Sequence, residues 1–228
     1  MDRILGLLNR CVTLYIGLAA VCAVLIDPAA ARIKILNFDR NAAREVNRFA
    51  LRPDVPFDDE VFYQAAAYHR GLVRLLPDQT LSYGALGYIQ AQRQRFRKAA
   101  RAFEKAAAHH PDLFGFHFNR GLVYYQLGDT ARARAALRQA INTPPAPSVA
   151  HDRLIAGRMF RDPKLREAWL AERVYRLKSA HEFAGRLLSA IDSGQRVVVN
   201  SGQYFYYVPP VETGVIPLQS LVGGTNSP

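Results

Sequence analysis

Three of the six histidines, two cysteines and a scatter of carboxylates are the residues through which this chain could do chemistry. His109, His110 and His117 are close in sequence and of metal-ligand type. His109 and His110 close a helical segment, however, where imidazole suits the negative end of the helix dipole, and a metal would need a further nearby ligand. Cys11 and Cys22 stand eleven residues apart in one apolar stretch, neither a CxxC pair nor a zinc set. Gly84-x-x-Gly87 suits close helix packing better than phosphate binding. No carboxylate pair sits at catalytic spacing on one helix. No nucleophile elbow, P-loop, HExxH or dinucleotide fingerprint occurs. The expectation is a protein that is not an enzyme, with no catalytic, cofactor-binding or metal-binding residues.

The charge is more informative. The 228 residues carry a formal +11, all of it within 32–192, because 1–31 and 193–228 are each neutral. Of the 30 basic residues 25 are Arg, a bias that base composition in the coding genome explains as readily as selection for Arg chemistry. Half of the residues are hydrophobic, which excludes wholesale disorder. The chain thus divides into an apolar start, a basic middle and a nearly uncharged tail.

Residues 11–26 contain no charge, and 4–26 spans 23 residues, about 34 Å as a helix, enough to cross a bilayer core. Arg10 could snorkel to the headgroups. The expectation is a single-pass membrane anchor over 1–31. A cleaved signal ending near Ala29-Ala30-Ala31, a lipoprotein signal at Cys22 and a buried core helix are the alternatives. The short N-flank with its early Arg favours a body on the extracytoplasmic side, periplasmic in a bacterium.

A self-comparison at a separation of 34 pairs Gly87 with Gly121, Ala99 with Ala133, Phe103 with Leu137, Ala106 with Ala140 and Pro111 with Pro145. Small residues let two helices approach, Phe103 fills the space between them, and Pro111 stops the second helix. The period and these residue types resemble the tetratricopeptide repeat (TPR). The copy at 114–147 carries Gly121-x-x-Tyr124 and the Gly128-Asp129 turn. The copy at 80–113 has Gln90 where Tyr is usual and Gln94-Arg95 in place of Gly-Asp. Flanking helices are expected over 39–51, 58–76, 149–161 and 164–192, the last with Leu165, Trp169, Leu177, Phe183, Leu187 and Ile191 on a buried face. The expected fold is therefore all-α. A membrane helix and a juxtamembrane segment at 32–57 precede a TPR-like solenoid over 58–192. An extended or hairpin arm follows over 193–228, with 196–199 and 204–208 β-like around Asn200-Ser201-Gly202.

The resemblance implies an interaction module that binds a peptide or helix on the concave face of its first helices. The ligand-facing positions fall on Tyr88 and Gln92, then on Phe118, Asn119, Leu122, Tyr125 and Gln126. The basic carboxylate clamp of chaperone-binding members does not carry over, because Gly84 and Tyr88 stand where Lys and Asn would be. A basic stripe runs along the second helices: Arg93, Arg97, Arg101 and Lys105, then Arg134 and Arg138. It is a solvated face or a contact for anionic lipid, and nucleic acid is disfavoured because no aromatic residues interleave in sequence. The expected function is a membrane-anchored scaffold or adaptor. The alternative is a permanent subunit of a membrane protein complex that uses the anchor and the arm, with Tyr204, Phe205, Tyr206 and Tyr207, as contacts. The arm could equally fill the protein's own groove.

Overall fold

The computed structural model describes residues 40–52, 55–76 and 78–210. The expected membrane helix, residues 32–39 of the juxtamembrane segment and the end of the tail lie outside the described residues. Among those described, no helix is long and apolar enough to cross a membrane. The described chain is all-helical: α1 (Arg40–Leu51), α2 (Asp59–Leu75), α3 (Ser82–Gln92), α4 (Phe96–His109), α5 (Phe114–Gln126), α6 (Thr130–Asn142), α7 (Ala146–Met159) and α8 (Pro163–Asp192). A single 3₁₀ turn, Ser201–Gln203, follows in the arm.

Local chemistry starts these helices. The Asp58 carboxylate accepts from the Glu60 and Val61 amides, Asp129 from Arg132, and Asp162 from Lys164 ahead of Pro163. Each helix packs on its neighbour in sequence from α1 to α6, in the manner of stacked hairpins, and α8 packs back on α5, α6 and α7. The repeat register is physical. A Cβ on Gly87 would fall 2.5 Å from the Phe103 ring, and one on Gly121 would fall 2.7 Å from Leu137. The same small-against-large contact thus recurs one repeat later.

The turn after each first helix is shared too. Gly128 has φ 75°, and the Asp129 amide donates to the Tyr124 carbonyl at 2.9 Å. One repeat earlier Gln94 takes the same left-handed conformation, φ 54°, with the Arg95 amide on the Gln90 carbonyl at 2.8 Å. A Cβ costs roughly 1–2 kcal/mol there, while glycine loses about 0.5–1 kcal/mol through its freer unfolded chain. Gln94→Gly is therefore expected to raise stability by up to about 1 kcal/mol, read as a higher urea midpoint at unchanged slope.

Three expectations need correction. No strand forms among the described residues, so the expected hairpin is absent: the arm's main chain bonds to groove side chains instead of to another strand. Leu165 is 58 % exposed, because the start of α8, residues 163–165, is not covered by another element. Arg93 leaves the exposed stripe, because its guanidinium pairs with Asp59 at 2.6 Å and packs over Tyr63.

Candidate functional site

Helices α3 and α5 carry almost no charge, and both are buried nearly all round. One side of each packs on its repeat partner. The other side faces the arm, which lies in the groove and runs antiparallel to α5. Near the C-terminal end of α5, the Tyr125 hydroxyl accepts from the Val197 amide at 2.8 Å, and Gln126 donates to the Val199 carbonyl at 2.9 Å. Gln92 of α3 donates to the Ser201 carbonyl at 2.9 Å. Asn119, in the middle of α5, makes a two-way amide pair with one residue. Its Nδ2 donates to the Phe205 carbonyl at 2.6 Å, and its Oδ1 accepts from the Phe205 amide at 2.7 Å. At the N-terminal end of α5, the Tyr207 hydroxyl accepts from the Gly115 amide at 3.0 Å and lies 2.7 Å from Ser148 Oγ of α7.

The expected groove residues are thus brought together, but around the chain's own arm rather than an open cleft. Tyr88 meets the Tyr206 ring at 4.8 Å. Phe118 and Leu122 are fully buried, and Phe118 stacks on Phe114. Both are core in this structure, and the five consecutive arm residues 204–208 are buried as well. Tyr204, Phe205, Tyr206 and Tyr207 do not form a free contact surface for the same reason. Burial lifts the phenols of Tyr88, Tyr204 and Tyr207 well above the usual tyrosine range.

Sequence reasoning missed the far wall. Arg173 of α8 forms a buried two-point ion pair with Asp152 of α7 at 2.9 and 3.1 Å and donates to the Tyr206 carbonyl at 2.8 Å. Its guanidinium lies 4.4 Å over the Phe205 ring. Burial pushes the Asp152 carboxyl above its ordinary range, and Arg173 pulls against that shift. Asn47 of α1 accepts from the Tyr206 hydroxyl at 2.5 Å. A Cβ on Gly115 would fall 2.7 Å from both Phe205 and Tyr207, so the space for these rings requires glycine. The available signal was the near-absence of charge on α3 and α5, since a helix that is apolar nearly all round must be covered nearly all round.

The histidines have protein partners. His110 bonds Thr80 Oγ1 at 2.7 Å, His117 bonds the Pro111 carbonyl at 2.8 Å, and His109 stacks on Tyr83. Burial lowers the pKa of His110 and His117.

His151, edge-on to Tyr207 at 5.3 Å, is taken down to about 4 by burial first and by nearby Arg173 second. Its unfolded pKa is the ordinary 6.5. The neutral ring therefore contributes stability that is complete above pH 6.5 and is lost as pH falls toward 4. The loss at pH 5 is about 2 kcal/mol. Urea midpoints at pH 7.5 and 5.0 should show this fall in the wild type and a smaller one in His151→Gln; an equal fall in both would clear His151.

On the second helices, Arg97, Arg101, Lys105 and Arg138 are exposed, while Arg134 pairs with Asp192 at 2.6 Å. Lys105 lies 5.2 Å over Tyr83.

The arrangement is that of paired helices stacked around an extended segment. Residues 85–148, from within α3 to the start of α7, match the tetratricopeptide repeat. The match supports that family of protein-interaction repeats, which are generally without catalytic activity, for this part of the chain. No curated protein and no solved structure gives a significant match.

Proposed function

We propose that this chain is a non-enzymatic, membrane-anchored interaction scaffold whose concave groove holds an extended segment by its main chain. The observation that carries this reading is the two-way amide pair between Asn119 and Phe205, with Gln92 and Gln126 bonding further carbonyls. Such bonds recognise main chain whatever its side chains, here extended at Val199 and Phe205 and turned at Ser201. The apolar run at 4–26 supports the anchor, with the body on the extracytoplasmic side, and the exposed face of Arg97, Arg101, Lys105 and Arg138 suits anionic headgroups beside it. Protease protection of the intact chain in sealed membrane vesicles tests anchor and orientation together. For the groove, the test is in-membrane cross-linking of the wild type and of a Gln92→Ala, Gln126→Ala chain. Both replaced residues lie at the groove's end, away from Phe118. The variant should lose its cross-linked partner, and unchanged recovery would sink the groove reading.

A permanent subunit of a membrane complex is the second reading. Exposed Leu165, Val174 and Tyr175 favour contact through α8 rather than through the arm.

A further inference from the structure

The groove's selectivity is written in the segment it already holds. Between Val197 and Tyr206 the hydrogen bonds from Tyr125, Gln126, Gln92, Asn119 and Arg173 all go to main-chain atoms. Those bonds read the main chain of an arm that is extended apart from the turn at Ser201–Gln203, and they leave its side chains free. Three successive positions are then specified by rings. Phe205 sits between Phe114 and the Arg173 guanidinium. Tyr206 meets Tyr88 and bonds Asn47. Tyr207 meets Phe116 and His151, with its hydroxyl held by the Gly115 amide and Ser148. Residues 197–210 carry no charge. The buried guanidinium of Arg173 is already paired with Asp152, so a charged guest would gain no free counter-ion from it.

We propose that residues 199–207 are an intramolecular stand-in for the partner's segment. The partner then presents an uncharged stretch whose three consecutive aromatic residues lie in extended chain, and it enters as the arm leaves. The proposal rests on the scaffold reading above. Tethering sets the terms of the exchange. The arm returns to Tyr125 only a few residues after α8 ends at Asp192. A short tether gives an effective concentration on the order of millimolar. A free segment of equal intrinsic affinity is held off until its local concentration is comparable, a condition that confinement to one membrane helps to meet.

The test is fluorescence anisotropy of a labelled peptide with the sequence of residues 197–210, added to the full chain in detergent. Tyr206→Phe removes the hydroxyl that bonds Asn47, and Phe205→Ala empties a ring site; both leave the groove side chains unchanged. Peptide affinity is expected to rise about tenfold in Tyr206→Phe and at least a hundredfold in Phe205→Ala over the wild type. Adding Asn119→Ala should abolish the gain. A peptide with Leu at the three ring positions should bind at least tenfold more weakly than the parent. Equal affinity for wild type and both arm variants, with circular dichroism unchanged, overturns the proposal, as does equal binding of the Leu peptide. If Phe205→Ala does not fold, Tyr206→Phe decides. An arm-exchanged dimer by light scattering, without peptide uptake, also overturns it, because the guest would then be a second copy. These failures leave the scaffold reading standing as long as the partner cross-link is lost in Gln92→Ala, Gln126→Ala.

Discussion

Asp152→Ala is expected to destabilise the protein by about 3–5 kcal/mol, the cost of leaving a buried charge without its partner. The Arg173 guanidinium would remain enclosed by Trp169, Phe205 and the Tyr206 carbonyl, with its side chain only 3 % exposed. Paired, the two charges are satisfied by each other; alone, the cation keeps its desolvation cost and loses the attraction that offset it. The melting temperature should fall by roughly 10 °C in a chain of this size. The control is the charge-free double variant Asp152→Leu, Arg173→Met. Removing both charges removes both desolvation costs, so this chain should recover most of the loss and lack only the bond to Tyr206. If Asp152→Ala melts within a degree or two of the wild type, the pair is not closed to water.

Tyr207→Ala should have an effect of similar size, about 3–5 kcal/mol, for a different reason. The ring is 2 % exposed and packed among Phe116, Phe205 and His151, so truncation leaves a cavity. It also strips the Gly115 amide and Ser148 of their common partner. Tyr207→Phe keeps the packing and removes only those bonds, at about 1–3 kcal/mol. Urea unfolding of the two variants separates packing from hydrogen bonding. A further readout is specific to the arm: limited proteolysis should cut between 195 and 210 far faster in Tyr207→Ala. Unchanged cleavage there would mean that the arm does not depend on this anchor.

The repeat was legible because its cause is local and periodic. Gly87 with Phe103 and Gly121 with Leu137 satisfy the same packing condition one repeat apart, and the residue types recur with it. The flanking helices came within a few residues of their expected bounds, and Pro111 and Pro145 mark the breaks between hairpins. The left-handed turn at Gln94 was not legible, because the tertiary fold of the hairpin imposes it on a residue that does not prefer it.

By itself, then, the sequence determined the helical hairpins and their period. It also determined the lack of charge along the groove helices and the tail, and the amide side chains Gln92, Asn119 and Gln126 that await a main chain. Only the tertiary structure decided what those amides hold. The arm closes the groove through contacts between residues up to 159 apart in sequence, such as Tyr206 with Asn47. Pairings at such separation leave no period or spacing to read. An apolar helix face announces that it must be covered, but not by which segment. Asp152 and Arg173 were hidden for the same reason: in sequence they are ordinary charges on two helices, and only burial beneath the arm makes each the other's necessary partner.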